Sequence, residues 1–204
     1  MKKYFIALEP DKNLIQRVLS QKDEVLKLVG EQKYLSDPPH FTLIVFTSDK
    51  EAELKIVLEE MSKKIKKINI TLEKLHIFYD DILTGGHSIT YLISEENTKL
   101  LKKIQKEVVE AINPFNSREF IVEGSEKFKK MSEIEKKNVR EYGFPFIGDI
   151  WIPHVTIASI EKDKFSPVFD MISKNKIVGN FSLESLRLYD ISEATVLIKE
   201  EKLK

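Results

Sequence analysis

The feature that most narrows what this chain can fold into is an internal repeat. Thr71-Leu72-Glu73-Lys74-Leu75-His76-Ile77-Phe78 is echoed by Ser182-Leu183-Glu184-Ser185-Leu186-Arg187-Leu188-Tyr189, and Thr90-Tyr91-Leu92-Ile93 by Thr195-Val196-Leu197-Ile198. Ahead of each pair stands a Pro-His-apolar-Thr segment, Pro39-His40-Phe41-Thr42 and Pro153-His154-Val155-Thr156. From the first segment, periodicity predicts a strand from His40 to Phe46, a helix carrying Leu54, Leu58, Met61 and Ile65, then strands near 68–79 and 88–94. The same order returns from His154: a strand to Ile160, a helix near 164–174, and strands near 180–190 and 194–199. Duplicated units tend to pack about a pseudo-twofold axis, which brings equivalent positions face to face. The expected fold is therefore α+β: one bilobal domain over 1–204, its two pseudo-symmetric lobes built on antiparallel sheets around a central cleft, with helices outside. The repeat spans roughly 40–94 and 154–199.

The flanking segments fit around that unit. A strand is expected at about 4–8 and a helix at about 12–29, entered through Pro10-Asp11, with Leu14, Val18, Val25 and Leu28 or Val29 inward. A further helix runs through Leu101, Ile104, Val108 and Ile112 until Asn113-Pro114 ends it. Ser48-Asp49-Lys50-Glu51 and Ser132-Glu133-Ile134-Glu135 both have the spacing of a capping box. The second lies in a stretch without counterpart, about 124–152, which is either a flap over the substrate or a solvated connector.

What such a fold could do is limited by what it lacks. There is no cysteine, so thiolate nucleophiles, disulfides and zinc-thiolate sites are excluded, and chemistry must come from His, carboxylates, hydroxyls, Lys or Arg. The 33 basic and 33 acidic residues cancel, which argues against a global field for duplex nucleic acid and for a small or locally held substrate. No apolar run approaches a membrane span, and Tyr4-Phe5-Ile6-Ala7-Leu8 is too short for a signal peptide, so a soluble cytoplasmic protein is expected, acting as a monomer.

The Pro-His-apolar-Thr segments carry the chemistry. On a strand, residues two apart share a face, so His40 and Thr42 project one way about 7 Å apart while Phe41, Leu43 and Val45 project the other. His154 and Thr156 do the same. In-line cleavage of a phosphodiester needs a base for the attacking oxygen and an acid for the departing one, both titrating near neutrality, and two imidazoles meet that demand. The threonine hydroxyls can donate to the non-bridging oxygens. No metal or cofactor is needed. That two of only four histidines stand in matching places of a repeat favours catalysis over two unrelated structural histidines.

These motifs, with the opening Tyr4-Phe5-Ile6-Ala7-Leu8, resemble the two-histidine phosphoesterase superfamily, and within it the 2′,5′ RNA ligase / cyclic phosphodiesterase branch. The resemblance covers nearly the whole chain. It implies a bilobal α+β fold and hydrolysis of 2′,3′-cyclic phosphates or related esters, with RNA termini or small nucleotide phosphoesters as partners and His40, Thr42, His154 and Thr156 as the site. Reversible 2′,5′ ligation of RNA, and a non-catalytic module holding an RNA end or nucleotide, are the alternatives.

Five further residues are candidate substrate contacts. His76 and its repeat counterpart Arg187 could extend a polar lining, although a lone His on a strand is more often structural. Tyr4, Phe146 and Trp151 could stack on a base, with core packing the simpler role for Tyr4. His87, after Gly85-Gly86, reads as a turn residue.

Overall fold

The structure is a computed structural model that describes residues Met1–Lys204. Seven strands and six helices alternate as β1 (Lys2–Pro10), α1 (Lys12–Val29), β2 (Phe41–Ser48), α2 (Glu51–Lys64), β3 (Ile68–Phe78), β4 (His87–Ile93), α3 (Glu95–Ile112), α4 (Glu126–Lys129), α5 (Glu133–Tyr142), β5 (His154–Ile160), α6 (Phe165–Lys174), β6 (Gly179–Asp190) and β7 (Val196–Lys202). The order strand, helix, strand, strand thus occurs twice, as β2-α2-β3-β4 and as β5-α6-β6-β7. None of the helices is long and apolar enough to cross a membrane.

All pairings are antiparallel, in keeping with the expected α+β class, and they join into one hydrogen-bonded sheet in the order β2-β1-β6-β3-β4-β5, with β7 also on β6. The joint is β6. Its first residues, Gly179 to Leu183, pair with β3; from Leu183 onward it pairs with β1, and from Ser185 with β7. Each motif strand is consequently set beside the other copy of the repeated order: β5 pairs with β4 directly, and β2 is separated from β6 only by β1, which belongs to neither copy. A core of 44 buried side chains runs through both ends of the sheet. A satellite cluster of Ile121, Phe128, Met131 and Val139 gives the 124–152 stretch its own small core.

Local chemistry explains the helix ends, with one correction. Asp11 caps α1 by accepting from the Leu14 N–H. The Ser132–Glu135 box forms in both directions, and Gly143 closes α5 in the left-handed region at φ 71°. The box expected at Ser48–Glu51 does not form. Ser48 is the last residue of β2, its hydroxyl donates to the Phe115 carbonyl at 2.7 Å and accepts from the Lys50 N–H rather than that of Glu51, and Glu51 instead bonds Lys2, Tyr4 and Lys55. His87 likewise departs from its expected turn: it opens β4, and its Nδ1 accepts from the Asp80 N–H while its ring packs between Tyr79 and Phe165.

Candidate active site

His40, the residue just before β2, and His154, the first of β5, line one cavity of about 790 Å³ together with Thr42 and Thr156. Each imidazole is aimed by its own backbone. His40 Nδ1 lies 2.6 Å from the Pro38 carbonyl and His154 Nδ1 2.7 Å from the Ile152 carbonyl. A carbonyl only accepts, so Nδ1 carries the proton in both rings and Nε2 keeps the lone pair in the neutral form. The accepting residue in each case precedes a proline, which holds it out of the helical region. This is a second function for Pro39 and Pro153, beyond fixing their own φ.

Nε2 of His40 then accepts from the Thr42 hydroxyl at 2.9 Å; His154 makes no equivalent bond. Aromatic rings back both imidazoles. Phe5 stacks on His40 at 4.6 Å and on Tyr189, and Phe78 packs against His154 at 5.0 Å. Phe78 and Tyr189 are matched positions of the repeat. Burial pushes both imidazoles down: His40 to about 4, opposed by the Pro38 carbonyl and Asp37 and assisted by Lys22 and His154; His154 in the same direction, opposed by the Ile152 carbonyl and Asp81. Both are therefore neutral at pH 7.

A β-bulge follows each threonine. Ile6 pairs with Ile44 and Ala7 with Thr42, leaving Leu43 as the extra residue; Ile89 pairs with Ala158 and Thr90 with Thr156, leaving Ile157. The bulge reverses the alternation downstream. Val45, expected to point away from His40 and Thr42, lines the cavity with them. The freed Leu43 carbonyl is taken by Gln105 of α3, a fully buried amide that also donates to the Phe146 carbonyl and accepts from the Gly148 N–H.

Of the five candidate contacts, two reach the cavity. Phe146 and Trp151 line it, in the wall contributed by the 124–152 stretch along with Lys127, Ile134 and Phe144. That stretch is therefore more than a solvated connector. Tyr4 does not reach it: its ring is buried against Phe46 and its hydroxyl bonds Glu51. Arg187 is drawn away by ion pairs to Glu9 and to Glu200, the latter at 3.1 Å. His76 stands edge-on to Phe78 at 4.6 Å, outside the lining. Sequence patterns had not singled out Phe5, Phe78 or Lys22, all of which line the cavity. Lys22 did carry a signal, as a lysine on the apolar stripe of α1. No group of three or more His, Asp or Glu side chains is placed to hold a metal ion.

Comparison with known proteins gives the fold and the family. Solved structures with the same fold include E. coli LigT bound to 3′-AMP (TM-score 0.58, 9% identity, covering 100% of this chain and 98% of that one). TT0787 of Thermus thermophilus gives a TM-score of 0.59 at 11% identity, covering 98% and 97%. Usb1 of Kluyveromyces marxianus gives 0.50 at 12% identity, covering 96% and 97%. At such identities the likeness is one of fold. No curated protein sequence matches. The model of the 2′-5′ RNA ligase superfamily matches residues 13–195, and the chain belongs to that superfamily, among the two-histidine phosphoesterases.

Proposed function

We propose that this chain is a metal-independent phosphodiesterase that opens 2′,3′-cyclic phosphates on RNA termini or small nucleotides, with His40 and His154 as the acid–base pair and Thr42 and Thr156 as donors to the phosphate. The carrying observation is that two imidazoles, each held through Nδ1 by a carbonyl before a proline, line one cavity with both motif threonines. One neutral Nε2 takes a proton from water as the water oxygen bonds to phosphorus. The other ring, protonated, gives its proton to the ribose oxygen whose bond to phosphorus breaks. The product is a ring-opened monoester, and the two histidines have exchanged protonation states. With a 5′-hydroxyl in place of water, the same ring opening, forming the O5′–P bond as the O3′–P bond breaks, yields a 2′,5′ linkage, and its reverse cleaves one; this second reading is favoured by the family the chain belongs to.

Nucleotide esters as substrates are supported by relatives: E. coli LigT has been solved with 3′-AMP, with ATP and with NADP+. The aromatic wall of Phe78, Phe144, Phe146 and Trp151 suits a nucleobase. We take the protein to work as a single-domain cytoplasmic monomer built on the duplicated unit. The test is a panel of 2′,3′-cyclic nucleotides, cyclic-phosphate oligonucleotides and 2′,5′-linked dinucleotides with products identified. Turnover that survives both His40→Ala and His154→Ala would sink the assignment; tight binding with intact substrate recovered would make the protein a binding module.

A further inference from the structure

α1 presents Leu14, Val18, Gln21, Lys22 and Val25 to the interior. A lysine on such a stripe is costly, because burying an ammonium is unfavourable unless its protons are satisfied. Lys22 is 4% exposed and donates to the Tyr34 carbonyl at 2.5 Å and the Asp37 carbonyl at 2.7 Å. These carbonyls bracket a turn in which Tyr34 sits at φ 70°, a region unfavourable for a bulky side chain. The turn leads directly to Pro38, whose carbonyl receives the His40 Nδ1 proton. Asp37 is tied further by its carboxylate, which accepts from Thr195 at 2.5 Å. On the other side Lys102 of α3 donates to the Asp149 carbonyl at 2.5 Å, in the turn before Ile152, but it is half-buried where Lys22 is buried, and no lysine is among the groups that shift His154.

We propose that Lys22 is a positioning residue for His40: its ammonium clamps the 34–37 turn, so that the Pro38 carbonyl holds the imidazole as the Nδ1–H tautomer, and it sets a positive charge near that ring alone. Burial lowers the ammonium to about 8, so it is charged throughout the range in which His40 titrates. The charged groups acting on His40 are Asp37, Lys22 and His154, and Lys22 and His154 act against its protonation. Lys22 thus makes two imidazoles in matched motifs unequal before any substrate arrives. The inference rests on the proposed role of His40, but its test does not depend on turnover.

The test is ¹⁵N-labelled histidine NMR of the ligand-free protein, in wild type, Lys22→Met and Lys22→Gln. Methionine keeps the bulk and removes donors and charge; glutamine removes the charge but keeps N–H donors, on a shorter stem. In wild type His40 is expected in the Nδ1–H form. In Lys22→Met it should lose that preference while His154 keeps it, and kcat should fall about tenfold with KM little changed. In Lys22→Gln the Nδ1–H form should persist while the His40 titration midpoint rises by about half a pH unit or more. A folded Lys22→Met protein with an unchanged His40 tautomer overturns the clamp. If Lys22→Met does not fold, an unmoved His40 midpoint in Lys22→Gln overturns the proposal. Absence of turnover in wild type would defeat the phosphodiesterase and leave these NMR outcomes intact.

Discussion

Binding of a singly charged phosphodiester should draw protons from solution. Burial holds His40 at about 4 and lowers His154 as well, so at pH 7 both are neutral. Catalysis requires one imidazolium. The substrate's own charge can supply it: a phosphate contacting an imidazole at about 4 Å gains roughly 4 kcal/mol at an effective dielectric near 20, and about half that where water enters the mouth. At 1.36 kcal/mol per pH unit, that would lift His40 from about 4 to between about 5.5 and 7. From His40 alone, uptake per ligand should then lie between a few hundredths and about half a proton at pH 7 and between about a quarter and nine-tenths at pH 6; a rise at His154 adds in the same direction, and above about pH 8 the remaining uptake comes from Lys22, which lines the cavity and is held at about 8 by burial. The assay is titration calorimetry with a dinucleoside phosphodiester lacking the 2′-hydroxyl. It stays monoanionic throughout and cannot be turned over. The slope of binding heat against buffer ionisation enthalpy counts protons. Heats independent of buffer at pH 6–7, or uptake undiminished in the His40→Ala/His154→Ala double variant, would refute the reasoning.

Other expectations follow from single contacts. Thr42→Val removes the hydroxyl 2.9 Å from His40 at nearly constant volume; cyclic-phosphate turnover should fall about 10- to 100-fold with the thermal midpoint little changed. Gln105→Leu orphans the Leu43 and Phe146 carbonyls and the Gly148 N–H, and chemical denaturation should show a loss of about 3 kcal/mol or more. Gly143→Ala places a Cβ 2.7 Å from the Arg118 Cα at φ 71°, so a loss of about 2 kcal/mol or more is expected by the same measurement.

Much of this was legible in the sequence because it depends on local order. Period-2 and period-3.6 patterns marked most of the strands and longer helices, and the Ser132 cap and Gly143 stop are short-range devices that work wherever they occur. Ser48 had the same spacing as Ser132, but the Phe115 carbonyl, far along the chain, took its hydroxyl. The bulges at Leu43 and Ile157 depend on partner strands, so strict alternation put Val45 on the wrong face. Arg187 looked available until strands β1 and β7 supplied Glu9 and Glu200. The Nδ1 anchors are closest to having been foreseeable: an X-Pro-His segment already contains the carbonyl, and only the direction of the ring was missing.

The way β6 is shared has a mechanical consequence. A sheet hydrogen-bonded from β2 to β5 has no seam along which the two histidine-bearing ends could swing apart without breaking ladder bonds. The gap between the imidazoles is therefore a built dimension, like the throat of a gauge, set by the ladder and not by a hinge. Changes of guest fall to the segment outside that frame, between α3 and β5, which can be lengthened or recut while the gauge stays at its setting.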